Sequence, residues 1–415
     1  MKTGATDYLA DQPRLGRTGM VVFLVLLDMF IPLSTDMYLP ALPSMSSHFD
    51  APTFVMNLTL STFFLLYAIG MLLWGPLSDR FGRKRVLLSG VLLYVIGSAV
   101  CCVAASVGIM IAARCVQGLG AGAITSVAMA IIKDSYGGET RQKILALVQA
   151  VSGLAPMIAP IIGAAILHFF GWRTVFLVLA AIGVCCLILT LLYKESLPAE
   201  ERTGGGILTS FRHLIAVGAN KSLLVPLLTF SILMIPFLGY VSISSYIYEA
   251  FFGLSATAYS IFFACNALIS LLGPFFYIRV FLRRSKRTFA FLSLGLSVAA
   301  GVALLFFGRI APATFFICFA FFSFAFSANR PFASNMLLDQ QEGDTGSASA
   351  LINFTYAILG FAGMTLLSAA AIDHLVLRLA ITVTVISALS LVSWIALLRS
   401  RLPLIGVKDA PPPEG

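Results

Sequence analysis

The sequence predicts an all-α membrane protein of twelve transmembrane helices in two six-helix halves. Three observations predict it. Hydrophobic residues make up 59% of the chain and charged residues only 11%, against roughly 25% charged in soluble domains. The long apolar stretches are apolar on every side, which suits lipid or a buried bundle and not a half-wet helix. The charges gather in short clusters between those stretches, as cytoplasmic loops do.

A membrane helix needs about 20 apolar residues. Cutting the chain at polar and turn-rich breaks gives spans at 19–42, 53–77, 86–106, 109–132, 144–168, 173–193, 222–248, 256–280, 288–308, 311–337, 347–371 and 375–398. The first follows a polar segment with Lys2, Arg14 and Arg17 that lacks a small-residue cleavage site, so it is expected to stay in place. Arg80, Arg83, Lys84 and Arg85 separate the second span from the third, and Lys133, Arg141 and Lys143 the fourth from the fifth. Lys194, Arg202, Arg212 and Lys221 lie between the sixth and seventh, and Arg279, Arg283, Arg284, Lys286 and Arg287 between the eighth and ninth. Arg399, Arg401 and Lys408 follow the last. The opposite side holds only Arg173, Arg309 and Arg378, while Arg114 and Arg330 fall within spans. By the positive-inside rule both termini are expected on the cytoplasmic side.

The division is therefore 1–193, an N-terminal six-helix half; 194–221, a cytoplasmic linker; 222–398, a C-terminal six-helix half; and 399–415, a cytoplasmic tail. Glu195, Glu200, Glu201 and the run Gly204-Gly205-Gly206 make the linker charged and flexible. Gly75-Pro76 ends the second span and Gly273-Pro274 lies near the end of the eighth, an echo that fits a duplicated half. Carriers built from repeats hold substrate between them near the midplane.

The net charge of +9 does not point to nucleic acid, because the basic residues are loop clusters. All seven cysteines fall inside apolar segments, and the four histidines are scattered at loop edges. Neither a disulfide framework nor a metal cluster fits them, and no cofactor is expected. No nucleophile–base pairing supports an enzyme, and no phosphate-binding G-x-x-x-x-G-K-[ST] loop supports ATP coupling.

Set apart from loop edges, the acidic residues deep within spans are Asp28 and Asp36, both in the first. An intramembrane aspartate costs about 2.5–3.5 kcal/mol on insertion scales, so such residues face a cavity, a partner or a proton path. At 100° per residue the two lie about 80° apart, and Pro32 between them removes a backbone hydrogen bond and permits a bend. A buried aspartate beside a mobile cation loads and releases a proton as its surroundings open, the chemistry of a proton-coupled carrier. The plain alternative is that Asp36 merely begins the outer loop.

Gly75-Pro76-Leu77-Ser78-Asp79-Arg80-Phe81-Gly82-Arg83-Lys84-Arg85 resembles the G-x-L-a-D-R-x-G-R-K/R signature of the major facilitator superfamily, in the required loop between spans two and three. Gly75 would permit close helix approach, Asp79 would pair with cations or helix N-termini, and Gly82 would turn the chain. The resemblance implies the major facilitator fold and gives Gly75, Asp79, Arg80, Gly82 and Arg83 a role in stabilising one conformation of a carrier. Arg114-Cys115-Val116-Gln117-Gly118-Leu119-Gly120 is similar to the R-x-x-Q-G-x-G signature, whose arginine the family associates with proton coupling. Asp36 or Asp28 is its expected charge partner. A membrane arginine also snorkels outward when, like Arg114, it sits about two turns from a span end. Gly153-Leu154-Ala155-Pro156-Met157-Ile158-Ala159-Pro160-Ile161-Ile162-Gly163-Ala164 resembles the antiporter signature of drug exporters, with alanines where glycines are usual. There Pro156, Pro160 and Gly163 would kink the helix and seal it against leak, although small residues also simply pack helices.

Closest is Ser34-Thr35-Asp36-Met37-Tyr38-Leu39-Pro40-Ala41-Leu42-Pro43, together with Gly346-Ser347-Ala348-Ser349-Ala350, which resembles the Bcr/CflA branch of twelve-span drug:proton antiporters. The resemblance implies a proton-coupled antiporter of the bacterial inner membrane that exports drugs or similar amphipathic molecules, with Asp36, Asp28 and Arg114 coupling protons; a monomer is expected. Export of a metabolite such as an amino acid, polyamine or siderophore is the alternative within the class, and a non-transporting receptor the alternative outside it. Candidate substrate-lining residues are Met37, Tyr38, Tyr67, Gln149, Tyr240, Asn266, Asn353 and Tyr356. Arg330, beside Asn329 and Pro331, has no role in the family pattern and fits a residue that snorkels to the inner surface.

Overall fold

The structure, a computed structural model, describes residues 10, 12–202, 215–281, 285–341, 345–405 and 407. Lys2, Arg212, Arg283, Arg284, Lys408 and the Gly204-Gly205-Gly206 run lie outside the described residues, as do other parts of the expected linker and tail. Among the described residues, twelve helices are long and apolar enough to cross a membrane. They are α1 Gly16–His48, α2 Thr53–Phe81, α3 Arg83–Cys102, α4 Val107–Ser135, α5 Gly138–Phe170, α6 Trp172–Leu192, α7 Lys221–Phe251, α8 Ala256–Phe281, α9 Lys286–Phe307, α10 Pro312–Asp339, α11 Ser347–Ser368 and α12 Ile372–Arg399. No strand occurs among the described residues. Several helices run past the apolar stretches that announce them. Polar residues continue the i→i−4 ladder as readily as apolar ones, so α2 reaches Phe81 and α5 begins at Gly138.

The chain divides into two compact units, Met1–Ser210 and Phe211–Gly415. In the first, α2 packs along α4, α3 along both α4 and α6, and α1 along α5. In the second, α8 packs along α10, α9 along α10 and α12, and α7 along α11. The same pairings recur six helices later, a stronger sign of repetition than the Gly-Pro echo.

Lipid is as apolar as a leucine side chain, so close van der Waals contact must hold such helices together. α4 achieves this with alternating glycines. A Cβ on Gly118 would fall 2.4 Å from the Phe63 carbonyl of α2, and one on Gly120 would fall 2.5 Å from the Gly90 carbonyl of α3. The Gln-Gly-x-Gly run therefore seats one helix between two others. Phe23, Leu24, Leu27 and Phe30 of α1 join Tyr94, Ile124, Val127 and Cys186 in the core of this unit.

Candidate functional site

α1 is interrupted where its aspartates sit. Helical segments Gly16–Asp28 and Phe30–Asp36 are followed by a 3-10 turn, Leu39–Ala41, and a last segment, Leu42–His48. Pro32 has no N–H to offer the Asp28 carbonyl, and Pro40 has none for that of Asp36. Each aspartate thus closes a helical segment four residues before a proline. Asp28 is half-buried, and its Oδ2 accepts a hydrogen bond from Ser152 Oγ of α5. Asp36 is buried, with Thr35 Oγ1 2.9 Å from its Oδ1. That hydroxyl also lies 2.9 Å from the Ile31 carbonyl, so its single proton serves two acceptors. Among the described residues neither aspartate has a cationic partner.

Arg114 of α4 is fully buried and does not snorkel. Its Nε donates to the Thr59 carbonyl at 3.1 Å, and its Nη1 to Gln117 Oε1 at 2.5 Å. Gln117 Nε2 donates in turn to Ser98 Oγ at 2.7 Å. The guanidinium carbon lies 4.3 Å from the Phe63 ring centroid and 4.6 Å from that of Tyr38. Nη2 is buried without a hydrogen-bond partner. The expected pairing of Arg114 with Asp36 or Asp28 is not formed among the described residues; aromatic faces and a carbonyl hold the cation instead. Tyr38 follows Asp36 by two residues, about 200° around a helix. The side chain that touches Arg114 and the one that carries the acid therefore leave α1 on nearly opposite sides.

α5 remains one helix through Pro156 and Pro160. Its Ala155, Ala159, Pro160, Gly163 and Ala164 are buried. A Cβ on Gly163 would sit 1.8 Å from the Met37 carbonyl oxygen, so α5 clasps α1 between Asp36 and Tyr38.

The segment 75–85 is helical except at Gly82, the turn between α2 and α3, which has φ +94°. Gly75 departs from expectation: a Cβ there would meet nothing within 4 Å, so it mediates no close approach among the described residues of its unit. Arg83 instead gathers the cluster. Its Nη1 donates to Asp79 Oδ1 at 2.5 Å and Ser78 Oγ at 2.7 Å, and its Nε to Asp134 Oδ2 of α4 at 2.8 Å. The Arg80 guanidinium lies 5.3 Å from the Phe81 ring centroid and joins none of these bonds.

Glu195 completes this cluster and was hidden in the expected linker. Its carboxylate accepts the Arg83 and Lys84 backbone N–H groups, each at 3.0 Å, capping the N-terminus of α3. Lys84 Nζ donates to the carbonyls of Leu191 and Tyr193 at 2.7 and 2.6 Å. Gln12 exchanges two 2.8 Å hydrogen bonds with the Lys194 backbone. Burial raises the Tyr193 phenol above the usual tyrosine range, and its hydroxyl donates to Ser196 Oγ at 2.6 Å. The chain just past α6 is thus tied to α3 and to the segment that precedes α1. A lone acid opposite a basic run at helix ends was the available signal.

The substrate-lining candidates differ in exposure. Met37 and Tyr38 are buried in the α1 core, and Tyr240 is stacked 3.8 Å from the Phe319 ring. Asn266 is buried with Oδ1 unpartnered, and Tyr356 is buried. Tyr67 is half-buried, while Gln149 and Asn353 are exposed. Glu249 joins the in-span acids, since α7 continues three residues past the expected edge. It lies on the π-helical end Tyr246–Phe251 with Oε1 buried and unpartnered.

The Major Facilitator Superfamily model matches residues 21–364. An uncharacterized MFS-type transporter, YdgK of Bacillus subtilis (strain 168), is 29% identical over 349 residues, covering 83% of this chain and 87% of that one. Multidrug resistance protein MdtL of Escherichia coli O45:K1 (strain S88 / ExPEC) is 29% identical over 282 residues, covering 67% and 70%. Among solved structures, the human organic anion transporter MFSD10 (TETRAN) has a TM-score of 0.67 at 19% identity, with 93% of this chain and 100% of that chain covered. A D-xylose-proton symporter has a TM-score of 0.71 at 15% identity, with 94% and 99% covered. These structural likenesses are of fold.

Proposed function

The chain belongs to the major facilitator superfamily, and from that premise we propose that it is a proton-coupled antiporter of the Bcr/CflA kind, exporting drugs or similar amphipathic molecules. It is a transporter and not an enzyme. In this reading it works as a monomer in the bacterial inner membrane with both termini cytoplasmic, as the distribution of Lys and Arg favours. Relatives named multidrug resistance proteins favour drug-like cargo.

One observation carries the coupling. A buried acid and a fully buried base, Asp36 and Arg114, share one bundle without pairing, and Arg114 Nη2 has no hydrogen-bond partner. Buried groups left so are costly unless another state satisfies them. Proton entry from outside neutralises Asp36. Loss of the proton restores a carboxylate that seeks Arg114, and the broken outer part of α1 is the element that turns between them. Asp28, bound by Ser152 at the other break, is a second protonation site or the anchor of a cationic cargo.

The test is Asp36→Asn in proteoliposomes. Efflux driven by a pH gradient is lost while substrate counterflow persists, and intact coupled efflux rejects the mechanism. Expression in an efflux-deficient host, against chloramphenicol-like, cationic and bicyclic compounds with and without an uncoupler, tests the cargo. Unchanged resistance alongside secretion of a metabolite turns the reading to metabolite export.

A further inference from the structure

Arg330 is left unused by the mechanism above. α10 has 28 residues, about 42 Å at 1.5 Å per residue, and Arg330 lies roughly 7 Å from its midpoint by the same rise. That is inside a hydrocarbon core about 30 Å thick. The nearer helix end is the C-terminal one at Asp339. Helical side chains lean toward the N-terminus, so snorkelling to the nearer end would run against the direction in which Arg330 leaves the backbone.

The lipid-facing side of α10 is identifiable. Ala313, Ile317 and Phe321 are exposed four residues apart. Ile317 and Phe321 line an apolar groove of about 340 Å³ with Ile269, Leu296 and Phe316. Arg330 is nine positions beyond Phe321, about 180° around the helix. It is nonetheless exposed, unlike the enclosed Arg114. An exposed guanidinium at this depth, on the face turned from lipid, meets water or a ligand. No carboxylate pairs with it among the described residues. Its guanidinium carbon lies 5.7 Å from the Tyr356 ring centroid of α11. Asn353, exposed and three residues before Tyr356, lies on the same side of α11.

We propose that Arg330, with Tyr356 and Asn353, forms an anion-recognition site for the carboxylate, or a comparable acidic group, of an aromatic small molecule. The guanidinium fork receives the two oxygens, which a lysine would hold only as a point charge. The Tyr356 ring backs the fork, and the Asn353 amide offers a further donor. The site deepens the reading of the chain as a small-molecule transporter by giving one class of cargo its anchor.

The test is binding to the full chain in lipid nanodiscs at neutral pH, with 2-naphthoate, 2-naphthamide and 2-naphthylmethylammonium as probes. Wild type should hold naphthoate most tightly. Arg330→Gln should weaken naphthoate about tenfold or more and leave the amide unchanged, with Arg330→Lys between them. Arg309→Gln serves as the control and should bind as wild type does. Equal affinity for all three probes in wild type, or unaltered naphthoate binding by a folded Arg330→Gln, overturns the proposal. A measurement that needs no variant is phenylglyoxal labelling of Arg330 read by peptide mass spectrometry. Naphthoate should slow it and the amide should not; equal labelling overturns the site. Because binding is read without a gradient, drug efflux with no preference for naphthoate rejects only the anion site. Naphthoate binding without efflux rejects only the exporter reading.

Discussion

The Met37 carbonyl oxygen faces Gly163 so closely that a methyl group there would sit 1.8 Å from it. The second unit repeats the relationship, with a Cβ on Gly363 of α11 falling 2.1 Å from the Ile235 carbonyl of α7. In both units the first helix is also interrupted, at Met29 and at Ile232–Leu233, four residues or fewer before Pro32 and Pro236. A broken helix clasped by a glycine is thus a property of the repeat. In the first unit the clasp falls between the acid and the residue that touches Arg114.

Gly163→Ala should therefore be severe. The obstacle is backbone, which cannot rotate aside, so overpacking should cost about 1–3 kcal/mol or more and also impair any movement of α1. Gly75→Ala should do the opposite, because open space surrounds it and alanine is the better helix former by about 1 kcal/mol. Thermal unfolding of both variants in the same detergent checks the contrast. Equal melting temperatures would show that the clasp is not rigid.

That contrast also marks what sequence can reveal. Twelve apolar runs between basic clusters were legible because lipid demands them, and the positions of Asp28, Asp36 and Arg114 followed from the cost of charge in a membrane. Their partners were not legible. Opposite charges suggest pairing, but Arg114 found ring faces and a carbonyl within its own bundle. Gly75 belongs to a recognisable signature yet would give a Cβ no neighbour within 4 Å, while Glu195 belongs to none and caps α3. Contacts between residues over a hundred positions apart leave no periodic trace along the chain.

Tyr38 should matter for its ring more than for its hydroxyl. The hydroxyl lies 3.3 Å from Thr59 Oγ1, a long hydrogen bond, whereas the ring covers the guanidinium of Arg114. Tyr38→Phe should change stability by no more than about 1 kcal/mol. Tyr38→Leu should remove about 2 kcal/mol of desolvated cation–π attraction in addition to packing. Unfolding titrations of the pair decide it, and equal losses would move the interaction to the hydroxyl.

Arg83 holds two carboxylates of unequal worth. Asp134 is 16% exposed and Asp79 47%, so water screens the second pair more strongly despite its shorter distance. Double-mutant cycles combining Arg83→Gln with Asp134→Asn, and separately with Asp79→Asn, should give the larger coupling energy for Asp134. An equal or reversed order would mean that proximity outweighs burial here.

Glu195 should anchor the chain beyond α6 through the α3 N-terminus. The first amides of a helix have no partner within it, and the Glu195 carboxylate supplies one for Arg83 and one for Lys84. Glu195→Ala leaves both amides unpaired and should cost about 0.5–2 kcal/mol, the range for losing a helix cap. Glu195→Gln keeps one oxygen acceptor but loses the charge that favours a helix N-terminus, and should cost roughly half as much. Gly82→Ala reaches the same contact from the other side, since its Cβ would fall 2.6 Å from Glu195 Oε2 at a φ of +94°. Amide hydrogen exchange at Arg83 and Lys84 is the direct readout. Exchange should quicken in the order wild type, Glu195→Gln, Glu195→Ala, with Gly82→Ala also faster than wild type. Unchanged protection in Glu195→Ala would mean that these amides owe their stability to the helix packing around them and not to the cap.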